Sequence, residues 1–146
     1  RLRIADGDLP PGLTLFDSGW HAGVVGLVAS RMKDRLHRPV VAFAPASADE
    51  LRGSARSVAG LHVRDVLEAV SSRHPGLIER FGGHAMAAGL TLGRASLARF
   101  ADAFAEEVGR RLSPSQMQNV LETDGALAAH EISLETAQVL ESGGPW

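Results

Sequence analysis

Three short stretches carry residues whose types and spacing could do chemistry. In Gly82-Gly83-His84-Ala85-Met86-Ala87-Ala88-Gly89 an imidazole follows paired glycines. Glycine admits positive φ and close approach of a ligand to backbone N–H groups, and His84 can donate a hydrogen bond to an anionic oxygen. The same residues also read as a glycine turn before a tightly packed small-residue strand, with His84 only capping it. In Gly53-Ser54-Ala55-Arg56-Ser57, strand alternation puts Ser54 and Arg56 on one face. A hydroxyl beside a planar fork of donors suits a phosphate. Solvated side chains on an edge strand are the alternative. In Gly19-Trp20-His21-Ala22-Gly23 an aromatic and a histidine precede a helix start, where N–H groups attract anions and an indole can stack on a base. Here Trp20 reads better as a core anchor, and His21 either as an anion contact or as a substitute cap.

Other chemistries find no support. His37, His62, His74 and His130 are scattered, with no HxH or HxxxH spacing and no accompanying carboxylate cluster, so no metal ligand is assigned. There is no G-x-S-x-G, no phosphate-binding P-loop and no dinucleotide fingerprint. The basic run Arg31, Lys33, Arg35 and Arg38 reads as a solvated helix face rather than a nucleic-acid track.

The elements that must position these residues follow from periodicity. Leu13 to Phe16 is expected as a short strand ending at Asp17-Ser18-Gly19, followed by a helix from Gly23 to about Leu36 that Pro39 ends. Pro39 to Ala44 is a continuous apolar run, the pattern of a strand covered on both faces. Leu51 to Ser57 reads as a strand with a glycine interruption. Val63, Val66, Leu67 and Val70 mark a helix limited by Pro75. Gly82-Gly83 punctuates, Ala87 to Leu92 is extended, and Leu97, Phe100, Phe104 and Val108 stripe a long amphipathic helix. Ser113-Pro114 marks a boundary. Beyond it, Val120 to Gly125 reads as strand and turn, and Ile132 to Glu141 as a short helix. The order of elements indicates an α/β fold, helices on a mixed sheet.

The chain has 146 residues, 45% of them hydrophobic and 22% charged, which fits one compact globular domain with the edge of a second. No apolar run approaches the roughly 20 residues that span a bilayer. Cysteine is absent, which suits a reducing, cytoplasmic setting. The net charge of −2 lacks the global basicity of many nucleic-acid binders, so phosphate contacts must be local. With no initiating Met and an end at Gly143-Gly144-Pro145-Trp146, the chain is expected to be a piece of something longer.

Taken together, Gly19-Trp20-His21, Gly23 to Arg31, Arg38-Pro39, Gly53 to Ser57 and Gly82 to Gly89 resemble, in order and spacing, the DHH-associated domain of the RecJ exonucleases. The stretches Leu121 to Leu127, Ile132 to Leu140 and Gly143 to Trp146 resemble the start of the OB-type domain that follows in that family. The resemblance implies an approach segment over 1–12, a substrate-binding domain over 13–112, and a linker with the start of an OB-type β-barrel over 113–146. It implies a parent that degrades single-stranded DNA from the 5′ end in repair and recombination. Its Mn2+ or Mg2+ would be held by an upstream DHH catalytic domain, whose Asp-His-His motif does not occur here. By the same resemblance Ser54 and Arg56 hold the 5′-phosphate end, with Ser57, Gly82, Gly83 and His21 around the substrate, and His84 is the catalytic residue facing the scissile region. The fragment alone is expected to be inactive. The Gly-Gly-His element is also shared with small-nucleotide and nanoRNA phosphodiesterases of the DHH superfamily. Against that reading stand the residues after Ser113. A stand-alone module for single-stranded nucleic acid is the other alternative.

Overall fold

In the computed structural model, residues 9–118, 123 and 125–143 are described. The chain runs β1 (Leu13–Phe16), α1 (Val25–Leu36), β2 (Val40–Pro45), β3 (Glu50–Arg56), α2 (Val63–Arg73), β4 (Arg80–Gly83), β5 (Ala87–Gly93), α3 (Leu97–Arg111) and α4 (Leu134–Ser142). Short 3-10 turns occupy Arg94–Ser96 and Pro114–Met117. The strands form one five-stranded sheet in the order β1-β2-β3-β5-β4, with β1 parallel to β2 and the other pairs antiparallel.

The sheet is covered unequally, and that inequality makes the site. On one face, Val41, Phe43, Leu51, Ala55, Leu90 and Leu92 pack against Val63, Val66, Leu67 and Val70 of α2 and Phe100, Phe104 and Val108 of α3. The apolar stripe of α3 thus lies where its 3.6-residue spacing puts it. Phe100 meets Phe43 edge-on at 5.4 Å between centroids and stacks on Phe104 at 5.7 Å. On the other face, α1 lays Val25 and Ala29 over Leu13, Leu15, Val40, Ala42 and Ala44, with Trp20, Val28 and Met32 at the margin. Trp20 is therefore a packing residue. Among the described helices α1 is the one that packs on that face, against β2 and β3, and Arg52, Arg80, Gly82 and Gly89 stay exposed.

Two local features add to the sequence reading. Helix α1 ends at Leu36 as expected, and the stop is made ahead of Pro39: His37 adopts the left-handed conformation at φ 49°, and its N–H donates to the Lys33 carbonyl. A left-handed residue after the last turn satisfies a carbonyl that the helix leaves open. The segment read as glycine punctuation is the edge strand β4, hydrogen-bonded to β5 from Arg80↔Thr91 to Gly83↔Ala88. Gly83 has φ 146°, and an added Cβ would run into the backbone of Ala87 and Ala88, so only glycine fits there. Beyond α3, most of the strand and turn expected over 120–125 lies outside the described residues, as do 1–8 and 144–146; α4 is close to the short helix expected there.

Candidate nucleic-acid interface

Alternation and register bring Ser54 and Arg56 to the open face. Ser54 lies opposite Ala42 on β2 and Gly89 on β5, and Arg56 lies opposite Val40 and Ala87. The Arg56 guanidinium is held beside the serine, Nη1 donating to Ser54 Oγ and to the Ala55 carbonyl, each at 2.8 Å. Both side chains are partly buried. An arginine with one nitrogen tied back keeps its planar fork in a fixed plane, which lowers the ordering cost of a further contact.

The wall beside this pair is the first turn of α1. A Cβ on Gly26 would lie 2.9 Å from Arg56 Nη2 and 3.4 Å from Ser54 Oγ, so the guanidinium sits against the helix. That turn contains no acidic residue, and its N-cap, Val24, offers no side-chain hydrogen bond. A helix N-terminus carries partial positive charge, and its first N–H groups have no partner inside the helix. A guanidinium placed there is unfavourable unless an anion joins it. No carboxylate pairs with Arg56 among the described residues. Positive groups from two elements thus converge with their counter-charge missing.

His21 lies exposed in the turn before α1, and its Nδ1 accepts from the Gly23 N–H at 3.0 Å. A neutral imidazole that accepts through Nδ1 carries its proton on Nε2, so the outer nitrogen is a donor. The ring thus acts as a local cap for the turn before α1. His84 is exposed after β4, and its backbone N–H donates to the Ala87 carbonyl at 2.8 Å. Ala87 is also the register partner of Arg56, so His84 and Arg56 flank one residue at the same end of the sheet. Gly82 and Gly89 are register partners that floor the face between the strands. A Cβ at Gly82 would meet nothing within 4 Å, and one at Gly89 only the Gly53 carbonyl at 4.0 Å. These two glycines leave an open floor rather than relieve a clash.

Ser57 is not brought to this group. It is 1% exposed, and its Oγ donates to the Leu61 carbonyl at 2.7 Å, pinning the turn into α2. Alternation turns residue 57 away from the face that holds 54 and 56. Gly26, which contributes to this site, was not singled out from sequence, nor were the arginines 52 and 80, which lie elsewhere on the same open face. The alternation that pairs Ser54 with Arg56 extends to Arg52, but Arg80 needed knowledge of β4. Among the described residues no group of three His, Asp or Glu side chains comes together as metal ligands. The described residues therefore do not fit a divalent ion. No helix among the described residues is long and apolar enough to cross a membrane.

The profile of the DHHA1 domain family matches residues 10–110. The chain is 53% identical over 138 residues to the single-stranded-DNA-specific exonuclease RecJ of Dickeya dadantii, covering 94% of this chain and 24% of that protein. To the RecJ of Escherichia coli K12 it is 49% identical over 138 residues, again 94% of this chain and 24% of the other. The chain therefore spans about a quarter of the length of these curated relatives. Among solved structures, RecJ from Thermus thermophilus in complex with Mn2+ aligns with a TM-score of 0.62 at 30% identity, over 72% of this chain and 15% of that one. The C-Ala domain of Aquifex aeolicus alanyl-tRNA synthetase aligns with a TM-score of 0.55 at 13% identity, over 66% of this chain and 89% of that one, and shares the fold alone. With the whole sheet, α1, α2 and all but the last residue of α3 inside one family profile, the chain belongs to the DHHA1 domain family.

Proposed function

We propose that this chain is the strand-gripping part of a metal-dependent exonuclease that degrades single-stranded DNA from its 5′ end. The observation that carries the reading is the Arg56 guanidinium, tied to Ser54 and set against the uncapped first turn of α1, with no carboxylate paired to it among the described residues. A terminal phosphate supplies the missing charge and accepts from guanidinium, hydroxyl and helix N–H groups together. The Gly82 and Gly89 floor admits the strand at backbone level. His84, two strands from Arg56, donates to the phosphodiester that reacts, with Gly83 holding the turn that presents it. His21 contributes its Nε2 proton at the rim.

The names of the relatives, exonucleases specific for single-stranded DNA, support this substrate. The Mg2+ and Mn2+ in the RecJ structures support a divalent ion. On this reading that ion belongs to a DHH catalytic domain in the same polypeptide, and the present chain without it is inactive. We assign the substrate-binding domain to 13–112, an approach segment to 1–12, and a linker with the start of an OB-type domain to 113–146. The biological setting is cytoplasmic DNA repair and recombination.

The test is Arg56→Ala in the full-length protein, assayed on single strands ending in 5′-phosphate or 5′-hydroxyl. Loss of a charge-assisted contact worth about 1.5–3 kcal/mol should slow degradation of phosphorylated ends strongly and hydroxyl ends much less. An equal loss on both ends would return Arg56 to a role in the fold or a general backbone contact.

A further inference from the structure

The open face carries a second group of cations that the Arg56 site does not use. One row further along the strands, register aligns Arg52 on β3 with Thr91 on β5 and Arg80 on β4. Between them lies a cavity of about 260 Å³ lined by Arg52, Gly53, Arg80, Phe81, Gly89 and Thr91. Arg52 is exposed, and its side chain makes no hydrogen bond or ion pair with the described residues. The side chain of Arg80 is 72% exposed and among the described residues reaches only Glu50, Nη2 to Oε1 at 3.8 Å, beyond hydrogen-bond distance. Two guanidinium groups thus stand over an open glycine and threonine floor with little to neutralise them.

Spacing decides what such a pair can hold. Neighbouring strands lie about 4.8 Å apart, so Arg52 and Arg80, two strands distant, have backbones about 10 Å apart and side chains long enough to converge over Thr91. Along β3, the four residues from Arg56 to Arg52 span about 13 Å. One phosphate cannot touch both ends of that span; a chain of phosphates can. Apart from the two arginines, the polar side chain of the lining is that of Thr91, 6% exposed, and Gly89 belongs both to this lining and to the floor it shares with its register partner Gly82.

We propose that Arg52 and Arg80 bind neighbouring internal phosphodiesters of the single strand whose 5′ end lies at Arg56, so that this face follows the strand row by row across the sheet. The inference rests on the terminal-phosphate reading of Arg56, and it adds a length requirement that reading lacks. A dinucleotide anchored at Arg56 is too short to reach the second row.

The experiment measures binding by the full-length protein in EDTA, so that no strand is cut. The probes are a 5′-phosphorylated thymidine dinucleotide and a 5′-phosphorylated oligothymidylate of roughly a dozen nucleotides, within the usual span of single-strand sites. The double variant Arg52→Ala/Arg80→Ala should weaken the long strand roughly tenfold or more and leave the dinucleotide at its wild-type affinity. The slope of log K against log salt for the long strand should fall by about 0.7 per arginine removed. Arg52→Lys/Arg80→Lys should keep most of that slope, since a point charge suffices to neutralise a phosphate; a purely structural role would not be rescued so. Equal loss on both probes, or an unchanged slope, overturns the second contact. If Arg56→Ala abolishes dinucleotide binding while the double variant leaves the long strand untouched, only this inference falls. If Arg56→Ala leaves the dinucleotide unaffected, the terminal-phosphate reading falls, and with it the strand path from Arg56.

Discussion

Gly26 of α1 provides the space that the Arg56 guanidinium fills: a Cβ there would stand 2.9 Å from Nη2. The atom it would strike is the far end of a flexible side chain, so the fold can yield by moving Arg56. Alanine is also the better helix former by about 1 kcal/mol. Gly26→Ala should therefore leave the unfolding midpoint unchanged or raise it, while the preference for 5′-phosphorylated over 5′-hydroxyl strands falls. Denaturant titration alongside the two-ended nuclease assay checks this, and a stability loss with preserved end preference would show that Arg56 does not depend on that space.

Arg56→Lys should restore only part of what Arg56→Ala removes. The tie from Nη1 to Ser54 Oγ and to the Ala55 carbonyl depends on the planar fork. An ammonium keeps charge and loses that geometry. Rates on 5′-phosphorylated strands should lie between those of wild type and Arg56→Ala. Full recovery with lysine would mean that charge alone matters at this position.

His84→Ala should lower turnover by about a hundredfold, the usual cost of losing a donor aimed at developing charge, with a much smaller change in strand affinity. His84 is exposed and outside both apolar clusters, so the variant should fold normally. Single-turnover rates and equilibrium binding, measured on the same strands, separate the two effects. Equal losses in both would make His84 a binding residue.

Gly53→Ala should destabilise the domain by about 1–3 kcal/mol, the range for overpacking a core. Gly53 lies opposite Phe43, and an added Cβ would press on that ring and on Leu90 Cδ2. Phe43 is fully buried and braced edge-on by Phe100, so it cannot retreat. Combining Gly53→Ala with Phe43→Leu should recover part of the loss in a denaturation experiment. Additive losses would show that the ring is not the obstacle.

Elements whose partners are local in the chain were legible from the residues alone. The stripe Leu97, Phe100, Phe104 and Val108 gives α3 its bounds, and the apolar run after Pro39 gives β2. Alternation was enough to set Ser54 beside Arg56. What sequence could not show depends on distant neighbours. β4 was hidden because two of its four residues are glycine, chosen for an open floor and a positive φ rather than for strand propensity. The i,i+4 spacing of Glu107 and Arg111 suits a helix ion pair, and that pair exists, yet the carboxylate is buried and also meets Arg73 at the end of α2. Ser57 looks like a continuation of the phosphate-binding run until the turn to Leu61 claims its hydroxyl.

The sheet order has a consequence for how the site comes into being. Among the described strands, β3 and β5 are the only neighbours not consecutive in the chain. All other pairs join adjacent strands, whereas this one must close a loop containing α2 and β4, and loop closure is the slow part of assembling distant contacts. The ladder so formed sets Ser54 against Gly89 and Arg56 against Ala87. The face that grips a strand therefore exists only after the most non-local strand pairing of the sheet has formed. A ligand spanning both strands should reinforce that closure, and native-state hydrogen exchange at the β3 and β5 amides should slow when the strand is bound.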